Sequence, residues 1–166
     1  MDTNTLYQTD PVSGDAIIEV VYENHPVKGK LTVQKKGEVL STYKNDFKYE
    51  VQNLSGAVYE VYAAEDIYTA DFQKDDIGKR ILEYAKGAKV AELTTDESGK
   101  ADLDNLPLGE YKVVEKTAPE GFVLNKEEQK ISFVYADQDT PVISQSAEFI
   151  NDRQKVEVSV VKKMLK

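Results

Sequence analysis

The stretch Gly29-Lys30-Leu31-Thr32-Val33-Gln34-Lys35-Lys36 alternates small or apolar side chains with polar ones and closes on two lysines. A period of two marks a half-buried β-strand, whose successive side chains point to opposite faces. Leu31, Val33 and Lys35 therefore share the apolar, inward face, while Lys36 points out. Runs of the same kind stand near residues 16–22, 57–62, 89–94, 110–116, 130–134 and 146–151, with a last one near 156–162. Turn chemistry separates them: Leu54-Ser55-Gly56, Asp96-Glu97-Ser98-Gly99-Lys100, Leu106-Pro107-Leu108-Gly109 and Ala118-Pro119-Glu120-Gly121. Ten Tyr and many Val and Thr suit strands. The spacing predicts an all-β fold, an antiparallel β-sandwich. Residues 75–88 read two ways: Ile77, Ile81 and Ala85 recur at helical spacing, while Arg80 to Tyr84 followed by Lys86-Gly87 reads as a hairpin arm and turn. The strand reading is preferred.

The chain also repeats itself. Val21-Tyr22-Glu23-Asn24, followed by the strand above, resembles Glu148-Phe149-Ile150-Asn151, followed by Val156-Glu157-Val158-Ser159-Val160-Val161-Lys162-Lys163. Asn24 to Asn151 and Lys35 to Lys162 are both offsets of 127 residues. The predicted organisation is the tail strand of a preceding module plus linker in residues 1–28, one complete module in 29–152, and a linker with the first strand of a following module in 153–166. Residues 1–24 and the last few are expected to fray unless a neighbouring molecule orders them.

Composition limits the chemistry. The 166 residues carry 30 acidic and 21 basic side chains, a net charge of −9, with no Cys, no Trp and one His. Without Cys there is no disulfide scaffold, thiol nucleophile or zinc thiolate site, and one His argues against a His-rich metal centre. The acidic surplus argues against nucleic acid or anionic membrane as a partner. No apolar run approaches the roughly 20 residues that cross a bilayer, and the first ten residues lack a signal-peptide apolar region. Residues 96–102 resemble a calcium loop only briefly, since Lys100 stands where an oxygen ligand is needed. The acidic run 71–76 and the lone His25 read as a solvated loop and a linker residue. No cofactor and no metal are expected.

Strand parity picks out three polar residues. Ala147, Phe149 and Asn151 share a face, as do Tyr111, Val113 and Glu115. An amine, a carboxyl and an amide would then meet in or at the rim of an apolar core. Burial of that kind is costly unless the groups solve one another's problem. Desolvation favours the neutral forms of an amine and a carboxyl alike. A neutral Lys35 is a nucleophile for the Asn151 amide carbon, with Glu115 polarising the carbonyl and carrying the proton to departing ammonia. The product is an intramolecular Lys–Asn isopeptide bond. Parity is equally compatible with a lysine snorkelling at a strand end, an asparagine capping a turn and a solvated glutamate.

Five stretches, the opening strand among them, bear on this. Gly29 to Lys35, Leu54-Ser55-Gly56-Ala57-Val58-Tyr59-Glu60-Val61-Tyr62 and Leu93-Thr94-Thr95-Asp96-Glu97-Ser98-Gly99-Lys100 together resemble the opening half of a Cna-B type domain. Leu106-Pro107-Leu108-Gly109-Glu110-Tyr111-Lys112-Val113-Val114-Glu115-Lys116-Thr117-Ala118-Pro119-Glu120-Gly121-Phe122 is similar to that family's E-box, and Phe149-Ile150-Asn151 to its closing strand. Such modules occur in adhesins and SpaA-type pilins of Gram-positive bacteria. The resemblance spans about Gly29 to Asp152. It implies an Ig-like or prealbumin-like sandwich with an autocatalytic bond between first and last strands, the roles falling on Lys35, Asn151 and, as assisting carboxyl, Glu115. Residues 37–53 and 63–89 look longer than a minimal module needs and are expected to be insertions at the sandwich ends. No Leu-Pro-x-Thr-Gly anchor is present.

The resemblance implies a structural stalk module of a cell-surface pilin or adhesin, monomeric, with neighbouring modules of the same chain as partners. The alternative is an adhesive domain that binds host matrix protein or glycan through its inserted loops. A glycosidase using two carboxylates is disfavoured for want of a cleft signature. A single-turnover reaction does not make an enzyme. Asn24 and Lys162 each lack the partner that would cross-link them within this chain.

Overall fold

The computed structural model describes residues 2–9, 16–23, 25–42, 44, 47–70 and 73–165, with the backbone alone for 2–9 and 16–23. Strands β1 (Asp2–Thr9) and β2 (Ala16–Glu23) pair antiparallel in a sheet of their own. Only the second was expected, and the expected fraying gives way here to a hairpin. The remaining strands are β3 (Lys28–Thr42), β4 (Lys48–Asn53), β5 (Val58–Ala63), β6 (Ile67–Tyr68), β7 (Leu82–Tyr84), β8 (Lys89–Thr94), β9 (Lys100–Leu106), β10 (Gly109–Thr117), β11 (Glu128–Phe133) and β12 (Val142–Asn151). Among the described residues there is no helix, so the hairpin reading of 75–88 prevails.

Two sheets face each other. One has the order β11-β10-β5-β8, antiparallel throughout. In the other, β12 lies along one side of β3, and two strands share its far side: β9 pairs with residues 29–34 and β4 with residues 36–42. Lys35 sits at the changeover. The pairing of β3 with β12 is parallel, which departs from a wholly antiparallel sandwich. Because β11 belongs to the opposite sheet, residues 134–141 cross between sheets and deliver β12 in the same direction as β3.

Three other expectations change. Residues 37–53 are less a loop than a ribbon, since β3 runs on to Thr42 and pairs antiparallel with the exposed β4. β9 is not among the strands that alternation marks, because Asp102 and Asp104 dilute its apolar side chains; it buries Ala101 and Leu106. The strand expected at 156–162 is not formed. Val156, Val158 and Val160 are 89%, 78% and 89% exposed. A single strand with neither pairing partner nor cover does not hold its own backbone.

The core follows parity. Leu31 and Val33 of β3 with Ala147 and Phe149 of β12 meet Tyr59 and Val61 of β5 and Tyr111 and Val113 of β10. The Tyr59 and Phe149 rings tilt at 4.8 Å, and Tyr111 meets Phe133 edge-on at 5.8 Å. Each such side chain contributes roughly 1.5–3 kcal/mol on burial. Gly99 has φ +73°, and a Cβ there would stand 2.8 Å from the Lys35 carbonyl oxygen. Gly99→Ala is expected to cost roughly 1–3 kcal/mol, since left-handed backbone and a main-chain clash add; an unchanged urea midpoint would contradict this.

Candidate functional site

Lys35, Glu115 and Asn151 come together at one end of the core. Lys35 is 0% exposed, Asn151 2%, and the Glu115 side chain 0%. Lys35 and Asn151 project from adjacent parallel strands, Lys35 opposite Phe149 and Asn151 opposite Gly37. Glu115 reaches them from β10 across the sandwich. Lys35 is fixed by its main chain: its N–H donates to Gly99 O at 2.7 Å, and its carbonyl accepts from Leu54 N at 3.0 Å.

The carboxylate is the hub. Lys35 Nζ stands 2.7 Å from Glu115 Oε1, as an ion pair off the line of a directed hydrogen bond. Asn151 Nδ2 donates to Glu115 Oε2 at 2.7 Å and to Oε1 at 3.0 Å. Two supports were not anticipated. Asn125 N–H donates to Oε2 at 2.7 Å, and the Tyr59 hydroxyl lies 3.5 Å from Oε1. Parity on β5 signals Tyr59, whereas nothing in the local sequence marks a main-chain N–H in a loop. Among the described residues, Asn151 Oδ1 is buried with no hydrogen-bond partner.

Burial lowers the Lys35 pKa, opposed by its close contact with the Glu115 carboxylate. Burial, then the Glu115 charge, push the Tyr59 hydroxyl well above the usual range, so it remains a neutral donor. An amine of lowered basicity, a carboxyl group and an amide carbon are thus held in one buried site, the components of an acyl transfer.

The model of the family described as SpaA, a prealbumin-like fold domain, matches residues 38–148, about two thirds of the chain. The chain belongs to that SpaA family. The matched residues include Glu115 and stop three short of Lys35 and of Asn151. Two solved structures share the SpaA domain's fold. Domains D2 and D3 of the major pilin SpaD from Corynebacterium diphtheriae align with TM-score 0.52 at 19% identity, over 90% of this chain and 56% of that one. GBS52, a minor pilin of Streptococcus agalactiae, aligns with TM-score 0.50 at 16% identity, over 94% of this chain and 63% of that one. The SpaA domain and its flanks thus span less than two thirds of either relative. No curated protein matches.

Proposed function

We propose that this chain is a load-bearing stalk module of a Gram-positive surface pilin or adhesin, closed by an autocatalytic isopeptide bond between Lys35 and Asn151. The observation that carries the reading is the dry contact of Lys35 Nζ and Asn151 Nδ2 with the same carboxyl group. The ion pair and its neutral tautomer hold the same number of protons, and desolvation favours the neutral one. A protonated Glu115 selects the amide orientation that turns Oδ1 toward it, which gives the orphaned oxygen a partner. Lys35 Nζ then attacks Asn151 Cγ. The Nζ–Cγ bond forms, Glu115 takes a proton from Nζ and delivers one to Nδ2, and the Cγ–Nδ2 bond breaks to release ammonia. The carboxyl ends as it began.

The array reading is part of this proposal. Shifted back by 127 residues, β11 and β12 fall on residues 1–6 and 15–24, over β1 and β2. Shifted forward, the buried Gly29, Leu31 and Val33 fall on the exposed Val156, Val158 and Val160. The positions in the chain match, while the pairing differs: β1 pairs with β2, whereas β11 and β12 lie in opposite sheets. The last two strands of one module and the first strand of another account for the positions.

Intact-mass analysis tests the bond. Wild-type protein is expected one ammonia lighter than its encoded mass, and Lys35→Ala and Glu115→Ala at their full encoded masses. A wild-type chain at its encoded mass would overturn the mechanism.

A further inference from the structure

Resting on that reading, we propose that Phe122 is a positioning residue for the cross-link: seated over the bare Cα of Gly37, it shuts water away from the Asn151 amide while Lys35 attacks. Gly37 is the residue opposite Asn151 in the β3–β12 register. A Cβ at Gly37 would lie 2.6 Å from Phe122 Cε1 and 2.6 Å from Leu54 Cδ1, so the missing side chain is what lets both close on the strand. Phe122 is held there by a strap that follows β10. Val123 N–H donates to Asp152 O and Gln154 N–H to Gly121 O, both at 2.8 Å, which clips the strap to the chain leaving Asn151. Three residues on, Asn125 N–H holds Glu115 Oε2, and its side-chain amide donates to Ile150 O at 3.3 Å. The strap that carries the half-buried Phe122 therefore also orients the carboxyl group.

Water matters because it competes with the amine for the same carbon. If water attacks Asn151 Cγ, a Cγ–O bond forms, the Cγ–Nδ2 bond breaks and ammonia departs, leaving an aspartate at 151 that Lys35 cannot join. Only a closed site commits the activated amide to the amine.

The test uses full-length chain recovered unfolded and unreacted, then folded by dilution, with intact mass and peptide mapping of residue 151 followed in time. Phe122→Ala is expected to cross-link about tenfold more slowly and to divert a measurable share of chains to aspartate at 151, whereas Phe122→Leu stays within about threefold of wild type with no aspartate. Near-ultraviolet circular dichroism reports folding; should Phe122→Ala not fold, Phe122→Val is expected to shift the same partition in the same direction. A folded alanine or valine variant that cross-links at the wild-type rate with no aspartate would overturn the plug and leave the cross-link standing. A wild-type chain that never loses ammonia would overturn both.

Discussion

Pulled between residues 28 and 152, single wild-type molecules are expected to show no unfolding step, while Lys35→Ala molecules lengthen by roughly 350–400 Å as the sandwich opens. Lys35 and Asn151 are 116 residue steps apart, and an extended chain spans about 3.4 Å per residue. With the bond in place, tension runs along residues 28–35, through the side-chain amide, and out at Asn151. Residues 36–150 are outside the load path. The parallel pairing of β3 and β12 places the entry of one strand and the exit of the other at opposite ends of the sandwich, so force acts along the strands. Without the bond, the load falls on the β3–β12 hydrogen bonds, the pairing of β3 with β4 and β9, and the core packing. A full-length step in wild-type molecules would refute the load path, whatever the mass spectrum shows.

Glu115→Ala is expected to lose most of the domain's stability, and to lose more of it as pH falls. Constraint of the unfolded chain by a link across this span contributes on the order of 5 kcal/mol by analogy with a disulfide. Removing one partner of a buried pair costs about 3–5 kcal/mol more. Together these rival the whole stability of an ordinary domain, about 5–15 kcal/mol. The pH dependence follows from Lys35, whose amine remains free in this variant. Burial already holds its folded pKa below the unfolded value near 10.5, and the variant removes the carboxylate that opposes that shift. Between the lowered pKa and 10.5 the unfolded chain binds the extra proton, so stability rises with pH across that window and is level on either side of it. Wild type is expected to show no such slope from this site, because the proposed cross-link consumes the amine. Urea titrations at neutral and alkaline pH measure both, and a variant as stable as wild type would exclude a cross-link.

The trio was legible in the sequence because alternation is local. Given that Leu31, Val33, Phe149, Tyr111 and Val113 face the core, Lys35, Asn151 and Glu115 must face it too, and each is buried. Tyr59 was legible by the same count. Phe122 was not, since its role depends on where a strap after β10 crosses a strand more than eighty residues earlier, and Asn125 was not, since its contact with Glu115 is made by a main-chain N–H that any residue carries. β9 escaped because a strand with an acidic outer face carries too few apolar residues to stand out from the turn before it.

By itself, then, the sequence settled that this chain is β-structured and which side chains its plainly alternating strands turn inward, because a two-residue period is a property of the backbone. Which strands neighbour one another, and in which direction, is a long-range property that no short stretch encodes. Tertiary structure alone decided that β12 runs parallel to β3, that Lys35 lies at the changeover from β9 to β4 with its main chain gripped on that side, and that a glycine opposite Asn151 leaves room for the ring of Phe122. Each of these depends on strands far apart in the chain meeting at one end of the sandwich, and it is there that an amine, an acid and an amide are brought into contact.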